Sequence, residues 1–187
     1  MAFFSFLVLL LAQAAPNSAQ DPSKPAPDKE AIAWSAQRPL TWVDFKSKPV
    51  AADRLAALTS GTIDVQVSCT DFVFKSSVQA IFLPRESWVR DASKASPALL
   101  RHEQLHFDIT ELHARMLRQK LSLVKLDCQR FNPTFNNLTK AAFGVWQREE
   151  GRYDQETNHG LNPEKQKFWE TQVQVRLTQL AAFAQQQ

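Results

Sequence analysis

The sequence predicts an α+β domain, with a small antiparallel sheet of three or four strands in its first half and three helices in its second. Three observations predict it. Ile63, Val65 and Val67 alternate with Thr62, Asp64, Gln66 and Ser68, the period of a half-buried strand. Ser96-Pro97 opens a long stretch whose apolar residues recur at helical spacing. Asn132-Pro133 and Asn162-Pro163 repeat that cap-then-proline signal at the heads of two further helices.

Taken in order, residues 1–20 read as a signal peptide. Phe3 to Ala15 is almost wholly apolar, and small residues follow at Ala12-Gln13-Ala14 and Asn17-Ser18-Ala19, although no Lys or Arg precedes the run. The run is too short to span a bilayer, so no stable membrane span is expected in the mature chain. Residues 21–30 are Pro-rich and polar and read as a linker, and residues 31–187 as one domain. Ala31 to Phe45, with Trp34, Leu40, Trp42 and Phe45, predicts one or two short strands carrying aromatics to the core. Val50 to Leu58 reads as a loop or a short helical turn. Thr59 to Cys69 is the alternating strand, Asp71 breaks it, and Phe72 to Leu83 gives one or two more before Pro84.

The first helix is expected from Ser96-Pro97 to about Lys125, with Leu99, Ile109, Leu112, Met116 and Leu123 on its apolar stripes. The second runs to about Asn158, with Gly160 placed to end it. The third buries a face of Phe168, Trp169, Val173, Leu177, Leu180 and Ala184.

The 187 residues, 44% hydrophobic and 22% charged, suit a globular chain, and a net charge of +3 is too small to suggest nucleic acid as a partner. The only two cysteines, Cys69 and Cys128, fit one disulfide in an oxidising compartment. The alternative is a pair of buried thiols. Neither lies in a C-x-x-C pattern, which argues against a zinc ribbon.

His102-Glu103-Gln104-Leu105-His106 reads H-E-x-x-H inside the first predicted helix, a zincin-like arrangement. Four residues bring the second imidazole to within roughly 40° of the first and about 6 Å along the axis, so both can reach one Zn2+. Glu103 then lies beside them, placed to take a proton from water. A catalytic zinc site needs a third ligand. Ile109 and Leu112 stand where an extended motif would have glycine and histidine. His113 shares the helix face but lies about 10 Å beyond His106. His159, at the end of the second helix in Tyr153-Asp154-Gln155-Glu156-Thr157-Asn158-His159-Gly160, is the better candidate. Asp154 and Glu156 are alternative ligands or acceptors for imidazole N–H, and Tyr153 is a candidate oxyanion donor.

The segments His102 to Ile109 and Tyr153 to Gly160, with Leu40-Thr41-Trp42-Val43-Asp44-Phe45, are similar to a bacterial family of predicted secreted zinc-dependent proteases, domain of unknown function 922. The similarity spans Trp34 to Gly160. It implies zinc, and functional positions at His102, His106 and the Tyr153–Gly160 segment. Asp108, Glu111 and Arg115 also resemble that family's helix pattern. From spacing alone, Glu111 and Arg115 are an i,i+4 pair on a solvated face.

The sequence therefore leads to the expectation of an exported, periplasmic or secreted, zinc-dependent hydrolase acting on peptide or protein. The alternatives are a non-catalytic exported metal-binding domain and an envelope interaction domain.

Overall fold

The computed structural model describes residues 30–129 and 131–185, with the side chain of residue 131 excepted. The expected signal peptide and nearly all of the linker lie outside the described residues. What is described is α+β: two small antiparallel sheets followed by three helices.

The main sheet has strand order β1-β4-β3, from β1 (Ile32–Ala33), β3 (Gly61–Thr70) and β4 (Val73–Phe82). The 3–4 hairpin is in register from Gly61 opposite Phe82 to Thr70 opposite Val73. It turns on Asp71 and Phe72, both at positive φ (51° and 62°), the mirror-image geometry that matches strand twist. The stretch from Phe72 to Leu83 thus holds one strand, β4. The second sheet pairs β2 (Ala57–Leu58) with β5 (Trp88–Val89). The aromatic segment after β1 is not a second strand. Trp42–Asp44 forms a 3-10 turn, because the Thr41 N–H donates to Asp44 Oδ2 (2.8 Å) while the Asp44 N–H donates to the Thr41 carbonyl (2.9 Å).

Helix α1 (Pro97–Leu123) starts where Ser96 Oγ accepts the Leu99 N–H at 3.1 Å. It carries two apolar stripes rather than one. Phe107, Ala114, Leu117 and Leu121 pack on the sheet with Ile63, Val78 and Phe82. Leu105, Ile109 and Leu112 face Tyr153 of α2 (Phe131–Thr157) and Trp169, Val173 and Leu177 of α3 (Pro163–Gln179). A helix covered on both sides is apolar or internally paired almost all round. The stripes differ from expectation: Leu180 and Ala184 lie beyond the end of α3, and two further members are exposed. Leu123 is 79% exposed, about 200° around the helix from Leu121, and Phe168 is 52% exposed, about 100° from Trp169. Cys69, near the end of β3, is disulfide-bonded to Cys128, after α1.

The solvated ion pair expected of Glu111 and Arg115 is instead buried. Glu111 is 2% exposed and its carboxylate accepts from Arg115 Nε (2.8 Å) and Arg118 Nη2 (3.0 Å). Sequence spacing shows the pair but not the cover. Here the cover comes from α3 and the chain after it: Arg115 donates to the Leu177 carbonyl of α3, and Arg118 to that of Phe183 beyond it. Glu111→Ala would leave two guanidinium groups facing an apolar core, and we expect a loss of about 3–5 kcal/mol in urea unfolding. A loss under about 1 kcal/mol would mean that solvent reaches the pair.

Candidate metal centre

Helix α1 places His102 and His106 one turn apart, with ring centroids 4.9 Å from each other. A 27-residue helix with a capped start and a sheet on one side holds that spacing rigidly. Helix α2 brings Glu150, Tyr153 and Asp154 against it. After Thr157 the chain runs through three left-handed residues, Asn158 (φ 51°), His159 (φ 51°) and Gly160 (φ 81°). Only the last is a glycine, so the turn holds conformational strain beside the cluster. The His159 N–H donates to the Asp154 carbonyl at 3.0 Å, folding the imidazole back over the helix end. Gly160 is required as such: a Cβ there would stand 3.0 Å from Cβ and Cγ of His102.

Three imidazoles meet at one oxygen. Asp154 Oδ1 lies 3.2 Å from His102 Nε2, 3.1 Å from His106 Nε2 and 3.2 Å from His159 Nδ1. His102, Asp154 and His159 each bring a ligand atom within 4.8 Å of the others, a cluster that could hold a metal ion. The spacing suits one. Ligands about 2.0–2.1 Å from a tetrahedral ion stand about 3.3–3.4 Å from one another, near the 3.1–3.2 Å between Asp154 Oδ1 and each imidazole.

The charges are set by the same contacts. Burial alone would lower the His106 pKa, but hydrogen bonds to Asp154 and Glu150 outweigh it and raise it to about 10. Burial pushes Asp154 up, and hydrogen bonds from His102 and His106 pull it well below the usual carboxylate range. His106 Nδ1 lies 2.5 Å from Glu150 Oε2, and Glu150 Oε1 accepts from Trp146 Nε1 at 2.9 Å. An imidazole facing a metal through one nitrogen and a carboxylate through the other is the usual way such a ring is oriented.

These residues line a cleft of about 750 Å³ between α1, α2 and the segment 54–59. His102, Glu103, His106, Asp154 and His159 all face it, and Leu55, Leu58, Leu99 and Leu161 form apolar walls. Glu103 is 3% exposed and its Oε2 accepts from Thr59 Oγ1 at 2.7 Å. Among the described residues no fully buried side-chain oxygen lacks a partner, and Glu103 Oε1 has none. That oxygen is therefore open to the cleft.

Three residues named from sequence sit elsewhere. Tyr153 is fully buried behind the imidazoles, stacked on His102 at 4.8 Å and 25°, with its hydroxyl 3.1 Å from the His102 carbonyl and 2.9 Å from Gln166 Oε1. Burial raises its pKa above that of an ordinary phenol. Glu156 accepts from Trp169 Nε1 at 2.9 Å, away from the cleft. His113 is 3% exposed and lies 2.7 Å from Glu149 Oε2. Sequence reasoning missed Thr59, Glu150 and Gln166. Glu150 stands four residues before Asp154, a spacing that places both on one helix face. Nothing in the sequence marks Thr59 or Gln166.

Residues 28–160 match a family described as "Bacterial protein of unknown function (DUF922)". No curated protein and no solved structure matches the chain.

The His113 contact has a consequence for acid stability. Burial raises the Glu149 carboxyl, but hydrogen bonds from His113 and Arg176 outweigh it and lower its pKa to about 2, from an ordinary 4.5. The folded state then holds fewer protons than the unfolded one between these values. Its contribution is complete above pH 4.5 and is lost as pH falls toward 2. In denaturant titrations across that range, Glu149→Gln should reduce the fall in stability by roughly 2–3 kcal/mol. An unchanged slope would count against the pairing.

Proposed function

We propose that this chain, which belongs to the DUF922 family, is an exported metal-dependent hydrolase acting on peptide or protein substrates. The observation that carries this reading is Glu103. Its carboxylate has one oxygen held by Thr59 and the other open to the same cleft that the three imidazoles face. A cluster that served only to tie helices together would have no use for a buried acid presented in that way.

In this reading His102, His106 and His159 would hold the ion through the nitrogens that here face Asp154 Oδ1, with Asp154 beside them and the fourth position left to water. Zinc bound there would supply Lewis acidity, lowering the pKa of water and polarising a substrate carbonyl. Glu103 Oε1 accepts the proton of the attacking water and returns it to the leaving amine. Thr59 keeps the carboxylate turned toward the cleft. Glu150 and Tyr153 hold the rings still, and Tyr153, with its hydroxyl engaged on His102 and Gln166, positions rather than stabilises an oxyanion. The apolar walls favour a substrate with an apolar side chain near the scissile bond. The Cys69–Cys128 disulfide fits an oxidising compartment, periplasmic or extracellular. Among the described residues no helix is long and apolar enough to cross a membrane.

One observation favours a non-catalytic rival. If Asp154 and all three histidines ligate together, the site has four protein ligands and is closed, the pattern of structural zinc. Glu103→Gln separates the two. We expect it to keep stoichiometric zinc while hydrolysis of an unfolded protein substrate falls about 10²–10⁴-fold. Hydrolysis at the unmutated rate would exclude Glu103 as the base.

A further inference from the structure

Helix α3 begins at Pro163, beyond the segment that matches the family, yet it sends a side chain to the back of the cluster. Gln166 is 7% exposed and is engaged at both ends of its amide. Nε2 donates to Glu170 Oε1 at 3.3 Å, one turn along α3. A carboxylate paired with Arg101, whose Nε stands 3.9 Å away, accepts and does not donate. Glu170 therefore fixes which end of the amide is NH2. The carbonyl end, Oε1, is left facing Tyr153 Oη at 2.9 Å and His102 Nδ1 at 3.2 Å.

A carbonyl oxygen cannot donate, so the hydrogen in the second contact belongs to His102 Nδ1. Nε2 is then the nitrogen turned toward Asp154 Oδ1. The ring has little freedom to do otherwise, with Tyr153 stacked on it and the Gly160 backbone closed against its Cβ and Cγ.

We infer that Gln166 is a positioning residue of the cluster: it holds His102 with Nδ1 protonated and Nε2 presented to the cleft, so that α3 is part of the site. This rests on the metal reading only for its purpose, since the hydrogen-bond chain from Glu170 through Gln166 to His102 stands without an ion. A ring held in this way loses little freedom on ligation, and removal of such an acceptor typically weakens metal affinity about 10–100-fold.

The test uses the full mature chain, metal-free and titrated with zinc alone. Long-range 1H–15N spectra of the metal-free protein read the protonation of each His102 ring nitrogen. A protonated Nδ1 is expected, and a bare Nδ1 overturns the inference whether or not zinc binds. Zinc affinity, measured by competition with a chelator, should fall about 10–100-fold in Gln166→Met and recover to within a few-fold in Gln166→Glu, which keeps an acceptor toward Nδ1. A Gln166→Met protein that binds zinc as tightly as the parent overturns the inference. Should the parent itself take up no zinc, the metal reading fails, and the ring spectra still decide the role of Gln166.

Discussion

Helix α1 is buried on nearly every side, and the rest of the structure follows from what that demands of its polar residues. The sheet covers one stripe, α2 and α3 cover the other, and the turn after α3 covers part of what remains. Seven residues between His102 and Arg115 nevertheless carry polar or ionisable side chains that the core shields: His102, Glu103, His106, Thr110, Glu111, His113 and Arg115. A buried polar group without a partner costs roughly 1–3 kcal/mol, and a buried charge more. Among the described residues none is left without one. Each neighbouring element therefore supplies a partner to α1: Thr59 from the chain after β2, Glu149, Glu150 and Asp154 from α2, Gln166 and a backbone carbonyl from α3.

The partners fall into two kinds. Glu111 with Arg115 and Arg118, and His113 with Glu149 and Arg176, form ion-pair groups outside the cleft that the histidines line. They fix the register of α1 against its neighbours. The groups one to three turns nearer the N-terminus converge on open space instead. There the left-handed turn 158–160 brings a third imidazole that neither helix could supply. The helix end carries two non-glycine residues at positive φ, and a side chain at Gly160 would collide with His102.

The sequence made part of this legible. Strand alternation and the Ser96-Pro97 and Asn162-Pro163 caps are local signals that located the hairpin and the first and third helices, whereas Asn132-Pro133 lies just inside α2, which begins at Phe131, rather than capping it. H-E-x-x-H is also local, because helical spacing alone puts two imidazoles and a carboxylate on adjacent faces. His159 was reachable because it follows Asp154 in one short segment. What could not be read depends on tertiary cover. Glu111 and Arg115 have the spacing of a surface pair, and only the packing of α3 and the turn after it makes them internal. Tyr153 carries a group suited to an oxyanion, and only its position behind His102 shows the hydroxyl to be committed elsewhere. Thr59 and Gln166 have no sequence signal, since their roles arise from elements 44 and 64 residues away from their α1 partners. The turn at Trp42–Asp44 was hidden by aromatics that read as strand, although the Thr41–Asp44 spacing is a cap signal.

The metal reading needs the His102–Asp154–His159 cluster and His106, which shares Asp154 Oδ1 with it, to bind one ion together. X-ray absorption at the zinc edge, on purified mature protein titrated with one equivalent of zinc, tests it most directly. We predict one zinc per chain, with nitrogen and oxygen neighbours at about 2.0–2.1 Å, multiple scattering from more than one imidazole, and loss of that signal in His106→Ala. Failure to retain stoichiometric zinc, or a spectrum unchanged in His106→Ala, would contradict it.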